Sequence, residues 1–433
     1  MYCGNCLRDN ALVTMWRRQG HQALMVPLYL PLTLDETDAS AGTPLFFSGL
    51  NVYLDETLPW FRRAPAWLRH WFTSPALLRG IARFAAKTRA AEVGELTLSM
   101  LRGEHGRQAR DLDELVAWLR AGPKPDVLCL SNALLLGLAS RIKRELGVPV
   151  VCLLAGEDAY IDAMPEPARS RVWSVLADCA ASVALFIAPS RYFAQRMGQR
   201  LGLALDRVRV VPPGIDLAGF PSHDPQRAAP MPTGAEAPVL GYFARLCRDK
   251  GLGELVEAFI ILKQAGRVPT LRLKAGGSCS GTDRQFVRAL RARLGAHGLL
   301  ADAEFHPNLD RAAKLAFLRS LTVFSVPAMY GEAFGLYLLE AWAAGVPVVQ
   351  PRTGAFVETV ETAGGGLLCA PGEPRALAEK IECLLLDPAL RRQLGDRGRR
   401  AVQERYRLET VAPEHVAVFA EAHKRACVLW GGS

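Results

Sequence analysis

Two glutamates, Glu332 and Glu340, stand eight residues apart in the stretch Tyr330–Glu358, YGEAFGLYLLEAWAAGVPVVQPRTGAFVE. Gly335 opens a helix between them, so Glu332 falls in the loop before the helix and Glu340 inside it. The first N–H groups of a helix lack partners within it and carry partial positive charge. The amides of Phe334, Gly335 and Leu336 would therefore suit a phosphate or sugar oxygen. A helical carboxylate accepts two hydrogen bonds at once, which suits a vicinal diol such as ribose. Apolar neighbours surround Glu340, where a carboxylate without a partner would be costly. For any isolated pair of glutamates, two solvated charges are the bland alternative.

A second element is Gly241–Gly251, GYFARLCRDKG. A strand ends, and Arg245 and Lys250 flank a short turn before the next helix. Two cations so spaced beside a helix start make a diphosphate clamp, Arg as a planar fork and Lys as a point charge. Alone, such a pair would be surface decoration.

These groups need elements to hold them. Up to Asp216 the chain alternates short apolar runs with helical patterns. Strands are expected at Ala23–Tyr29, Asp126–Leu130, Val148–Leu154, Ser182–Ala188 and Arg207–Val211, with helices between, including Ala133–Leu146 and Arg191–Leu201. The alternation restarts with strands at Pro238–Phe243, Thr270–Lys274, Ala303–His306, Leu321–Val326 and Pro347–Val349. Strands separated by helices of this length read as βαβ units and a parallel sheet. The expected fold is α/β, with two Rossmann-like, doubly wound domains facing a cleft. The domains are residues 1–216 and 238–405, joined by a linker at 217–237. A C-terminal helix, 406–433, is expected to return to the first domain. Ligands in such sheets bind beyond the carboxyl ends of the strands. A doubly wound domain usually opens with a strand and a Gly-rich turn. Here the chain opens in the turn itself (Gly4, Asn5, Cys6) and an amphipathic run to Gly20, so the first strand is expected to be missing.

Composition narrows the classes. The chain has 433 residues, 50% hydrophobic and 22% charged, which excludes a disordered chain. No apolar run approaches the length of a membrane-spanning helix, and no signal peptide is read at MYCGNCLRDN, so the cytoplasm is expected. The net charge is +9, with 25 basic and 21 acidic residues up to Asp216 and 27 and 22 beyond it. Neither half is a basic arm, so nucleic acid is not an expected partner. Most of the ten cysteines lie in apolar stretches and read as buried thiols in a reducing compartment, Cys129, Cys152, Cys179 and Cys383 among them.

Together, the strand–R-x4-K-G turn and the E-x7-E segment followed by G-V-P-V-V resemble the retaining GT-B glycosyltransferases of the group 1, family 4 type. The likeness extends to V-V-P-P-G-I-D at Val210–Asp216 and A-P-S at Ala188–Ser190. It implies a transfer of a sugar from a nucleotide-diphosphate sugar to an unidentified acceptor. Arg245 and Lys250 would neutralise the donor diphosphate and Glu332 would contact the donor sugar; these three are the expected catalytic residues. Glu340 would bind the ribose. Phe334, Gly335 and Leu336 would cradle phosphate and sugar through backbone amides, and Gly354 would sit in a loop close to the sugar. Family members react on one face with the leaving phosphate assisting, which asks for positioning and charge neutralisation. No cofactor and no metal is expected.

Many relatives place a histidine in an H-G pair at the strand end where this chain reads LLAGED, Leu153–Asp158, so Ala155 departs from the pattern. Gly4, Gly156, Glu157 and Asp158 are the candidate sugar or acceptor contacts of the first domain; a helix N-terminus is the bland reading of the acidic pair. The alternative functions are a non-catalytic nucleotide-sugar-binding protein, or an epimerase or phosphorylase of the same fold. Asp111 and Asp113 form a D-x-D pair, read as a helix cap rather than a metal site.

Residues 57–91 carry seven basic side chains and no acids, interleaved with Trp60, Phe61, Trp67, Trp71, Phe72 and Phe84. The aromatics could pack on the first domain with the arginines solvated. The same pattern would also suit peripheral contact at the inner membrane face, near a lipid-linked rather than a polysaccharide acceptor.

Overall fold

A computed structural model of the chain describes residues 4–28, 38–47, 90–220 and 237–430. The linker stretch 221–236 and the basic, aromatic stretch 57–89 lie outside the described residues. The chain divides into two packed units. One holds Cys3–Val211 together with the residues from Ala412 onward; the other is built on Pro212–Val411. Pro212–Asp216, read from sequence as the end of the first domain, thus belongs with the second.

The first unit is built on four parallel strands: β1 (Leu128–Leu130), β2 (Val150–Leu153), β3 (Leu185–Ala188) and β4 (Val208–Val210), hydrogen-bonded in that order. β2 and β3 are buried along their whole length, as expected of apolar runs covered on both faces. Ser190 ends the A-P-S motif by accepting the Phe193 N–H at 3.0 Å, so it caps the helix Arg191–Leu201. The last helix, Leu408–Trp430, adds its residues from Ala412 onward to this unit. There Trp16 donates to the Ala412 carbonyl at 3.1 Å and meets the Phe419 ring edge-on at 5.3 Å, and Arg209 pairs with Glu421.

Two local expectations are corrected here. No strand occurs in residues 23–28, the described part of Ala23–Tyr29; Pro27 has no N–H to give a ladder. Gly4 is not in a turn but is the first residue of the helix Gly4–Arg18.

The second unit carries six parallel strands: β5 (Val239–Phe243), β6 (Arg272–Gly277), β7 (Ala303–Pro307), β8 (Val323–Phe324), β9 (Val348–Pro351) and β10 (Gly366–Cys369). Their spatial order is β10-β9-β8-β5-β6-β7. Counted from β5 as the first, this is the 3-2-1-4-5-6 order of a nucleotide-binding α/β sheet, which reverses between β5 and β8. Chains leaving β5 and β8 part in opposite directions, which opens a crevice at their carboxyl ends. Tyr242, Phe259, Phe324, Trp342 and Phe356 are fully buried around this sheet, and Trp342 Nε1 donates to the Gly365 carbonyl at 2.9 Å.

Candidate functional site

Every residue of the expected donor site lies in the second unit, on the loops leaving β5, β8 and β9 or on the helix Leu336–Ala343 that follows β8. After β5 the chain turns through Arg245 and reaches Gly251, which stands at φ 75°. A Cβ there would lie 1.8 Å from the Pro327 carbonyl oxygen, so only glycine lets the β5 and β8 loops touch. Met329 N–H donates to the Asp249 carbonyl at 3.0 Å and fastens the same contact. The β9 loop joins through Gly354, at φ 56°, where a Cβ would lie 2.6 Å from the Glu332 nitrogen. Ala355 N–H donates to the Glu332 carbonyl at 3.0 Å. Residue 332 is thus held by its backbone before its carboxylate does anything.

That carboxylate meets Lys250. The ammonium donates to both oxygens of Glu332, at 2.7 and 2.9 Å. The hydroxyls of Tyr330 and Tyr337 approach the same oxygens at 3.4 and 3.3 Å, and Lys250 Nζ stands over both rings, 5.0 and 5.8 Å from their centroids. Burial pushes the Lys250 pKa down, but the facing Glu332 charge and the Tyr330 contact outweigh it, and the net shift is upward. Burial likewise pushes the Tyr330 phenol up to about 12. Both groups keep their protons at neutral pH and remain donors.

Arg245 does not reach Glu332; its guanidinium forks onto Asp283, Nε at 3.1 Å and NH2 at 3.0 Å. Glu340 lies within the helix Leu336–Ala343, whose N-terminal boundary residue is the buried Gly335. Its Oε1 accepts from Lys314 Nζ at 2.8 Å. Phe334 is buried and packs edge-on against Tyr406 at 5.9 Å, while Leu336 is half-buried at the first helical position. Arg245, Lys250, Glu332, Phe334–Leu336 and Gly354 therefore gather at the carboxyl ends beside the reversal of strand order. Glu340 sits one to two turns into the helix that leaves it.

In the first unit the candidate contacts have structural partners. Gly156 precedes the helix Glu157–Asp162. The buried Glu157 carboxylate accepts from the backbone of Ala133 at 2.7 Å and of Ala155 at 2.8 Å. Burial raises its pKa, against the lowering effect of those amides and of Arg8. Asp158 pairs with Arg196. The helix starts at Ala109, with Gln108 at the boundary, so Asp111 lies in its first turn, and Asp113 pairs with Arg141 at 3.1 Å. Among the described residues no group of three or more His, Cys, Asp and Glu could hold a metal ion.

Sequence reasoning missed Asp283, Lys314 and Tyr337, the partners of Arg245, Glu340 and Glu332. It also missed Arg8, which donates to Asp9 at 2.8 Å and to the Ser131 carbonyl at 3.0 Å, just beyond β1. Asp283 had one available signal: an acid opening a helix just after a strand end.

Residues 82–218 match the family described as Glycosyltransferase Family 4, and residues 229–401 match Glycosyl transferases group 1. A D-inositol 3-phosphate glycosyltransferase of Xylanimonas cellulosilytica is 32% identical over 269 residues, 60% of this chain and 62% of that protein. A glycogen synthase of Mycobacterium tuberculosis is 30% identical over 223 residues, 52% of this chain and 50% of that one. The chain thus spans between half and two thirds of the length of these curated relatives. Among solved structures, Anabaena HepE in complex with UDP superposes with a TM-score of 0.62 at 20% identity, over 74% of this chain and 84% of that one. Sucrose-phosphate synthase of Thermosynechococcus elongatus gives 0.60 at 22%, over 73% and 79%. Two sheets of parallel strands, a strand order reversing beside Arg245, Lys250 and Glu332, and two adjoining family matches agree: the chain has the GT-B fold, with a region like Glycosyltransferase Family 4 followed by one like the group 1 glycosyl transferases.

Proposed function

We propose that the chain is a retaining glycosyltransferase that moves a sugar from a nucleotide-diphosphate sugar to an acceptor hydroxyl. The observation that carries this reading is the gathering of Arg245, Lys250 and Glu332 beside the reversal of strand order in the second unit. Two cations there match a diphosphate, and one carboxylate matches the hydroxyls of the adjoining sugar. Arg245 and Lys250 neutralise the leaving diphosphate, Glu332 holds the donor sugar, and Glu340 takes the ribose. Phe334–Leu336 offer backbone amides, and the Gly354 loop closes on the sugar. Charge neutralisation by two side chains lets the reaction run without a metal. That HepE was crystallised with UDP-glucose supports a nucleotide-sugar donor.

The acceptor is a lipid-linked sugar or a polysaccharide, and the enzyme works in the cytoplasm. Among the described residues no helix is long and apolar enough to cross a membrane. Residues 57–91 supply the contact with the inner membrane face when the acceptor is lipid-linked.

A thermal-shift screen with UDP-, GDP- and ADP-sugars tests the reading, because a ligand bound only by the folded chain raises its melting temperature. Stabilisation by one of the three, followed by donor hydrolysis or transfer with retained anomeric configuration, is expected. Binding without turnover would favour a non-catalytic sugar-nucleotide receptor, in keeping with Ala155. Binding of none would overturn the proposal.

A further inference from the structure

We propose that Asp283 is a positioning residue for the donor site: it grips one edge of Arg245 and turns the other edge toward the donor diphosphate. This rests on the reading of Arg245 as a diphosphate contact.

The geometry separates the two ends of the pair. Asp283 keeps only 6% of its side chain exposed, while Arg245 keeps 54%. The carboxylate is itself fixed. Ser280 donates to Oδ2 from its backbone N–H at 2.8 Å and from its hydroxyl at 2.5 Å, and Asp283 begins the helix Asp283–Ala296. The loop that carries it, after β6, is tied to the Arg245 turn. Leu246 N–H donates to the Ser278 carbonyl at 2.9 Å, and Ala244 N–H to Gly276 at 3.2 Å.

A guanidinium offers five N–H donors in a rigid plane. Asp283 takes the Nε–H and one NH2 hydrogen. NH1 and the second NH2 hydrogen form the opposite edge, whose fork matches two phosphate oxygens. The carboxylate and a phosphate therefore use different edges and do not compete. A long side chain otherwise spread over several rotamers is held in one, so less freedom is lost when the phosphate arrives. Burial opposes the charged carboxylate, yet the bonds from Arg245 and Ser280 outweigh it and keep the Asp283 pKa below the ordinary range.

Isothermal titration of the full chain with UDP, GDP and ADP tests this. The variants are Arg245→Ala, Asp283→Asn, Ser280→Ala and the double variant of Arg245 and Asp283. For the nucleotide that binds, Arg245→Ala should weaken affinity at least tenfold and Asp283→Asn about tenfold, the scale of one charge-assisted contact. The double variant should be no weaker than Arg245→Ala alone, because Asp283 acts only through Arg245. A purely structural aspartate would instead add its loss to the double variant. Ser280→Ala should lose two- to threefold in the same direction, and it decides the matter if Asp283→Asn does not fold. Affinity unchanged or tightened in both Asp283→Asn and Ser280→Ala, or an additive double variant, would overturn the positioning role while leaving the clamp standing. Full affinity in Arg245→Ala, or no binding of any of the three nucleotides by the unsubstituted chain, would bring down the donor reading and this proposal with it.

Discussion

Lys250 and Glu332 face each other so that one ammonium serves both carboxylate oxygens, at 2.7 and 2.9 Å. On the proposed function, a donor diphosphate at Lys250 would compete with the carboxylate already paired there. The phenols of Tyr330 and Tyr337 also approach that carboxylate, at 3.4 and 3.3 Å, so Lys250 is not its sole partner.

The pair should also hold the loops together. Lys250→Met would leave a largely covered carboxylate without its counter-charge. Fully buried pairs lose about 3–5 kcal/mol when one partner goes. With 22% and 12% of these side chains exposed, we expect about 1–3 kcal/mol, the remainder being screened by water. Adding Glu332→Gln to Lys250→Met should recover most of the loss. Calorimetric melts of the three chains check this, and a double variant as unstable as Lys250→Met would show that the two charges are not coupled.

The two glutamates should fail differently. With Glu340 proposed to hold the ribose, which does not react, Glu340→Gln should mainly raise the donor KM. Lys314→Ala, which removes its partner, should move KM the same way by less. On the proposed reading Glu332 contacts the sugar at which charge develops, so Glu332→Gln should lower kcat more than it changes KM. Steady-state kinetics with the bound donor separate the cases, and reversed effects would exchange the two assignments.

Gly354→Ala should cost rate by displacing the backbone of Glu332. The added Cβ meets the Glu332 nitrogen and the Gly331 backbone at 2.6–2.7 Å, and the left-handed φ adds strain of about 1–3 kcal/mol. A shift of Glu332 by about 1 Å would lower kcat on the order of 100-fold. Melting and turnover measured on one preparation check this; unaltered kcat would place Glu332 outside the reacting geometry.

Acid should expose a weak point in the first unit. Glu104 accepts from Arg144 at 3.0 and 2.5 Å and from Arg141 at 3.1 Å. Chiefly through Arg144, its pKa falls to about 2 from an ordinary 4.5. A lowered folded-state pKa means that the pair stabilises above pH of about 4.5, and that this is lost as pH falls toward about 2. Melting curves of Glu104→Gln should converge with the unsubstituted chain over that window. Parallel curves would remove Glu104 from the acid response.

Thiol labelling should follow burial rather than sequence context. Cys383, set in an apolar stretch and expected inside, is exposed, as is Cys427, whereas Cys152 and Cys369 are buried. Burial pushes the Cys129 thiol up to about 12. Among the described cysteines, iodoacetamide at neutral pH should reach Cys383 and Cys427 first and Cys152 only on unfolding. Mass spectrometry of timed samples reads the order.

Strands flanked by full helices were legible because apolar runs such as Val148–Leu154 have one stable solution, a strand covered on both faces. The run at Ala23–Tyr29 looked similar in composition, but Pro27 breaks the ladder. β10 escaped notice because Gly366–Cys369 is four residues long and begins on the last of three glycines. At the candidate site, Arg245, Lys250 and Glu332 could be read from spacing because each sits next to a strand end or helix start. Asp283 and Lys314 could not, since each meets its partner across loops and helices 38 and 26 residues apart in the chain. Cys383 shows the same limit on a single helix: its neighbours are apolar, but its own face of Pro374–Leu386 points outward.

The backbone contacts among the loops after β5, β6, β8 and β9 bear on how this site can change. Gly251 admits the Pro327 carbonyl, Gly354 admits the backbone of Glu332, and Leu246 is bonded to Ser278. An insertion in any one loop would displace the other three, so their lengths cannot drift separately. Substitutions that alter donor preference should accordingly accumulate in side chains, at constant loop length. A donor preference grafted from a relative would have to bring the four loops as a set.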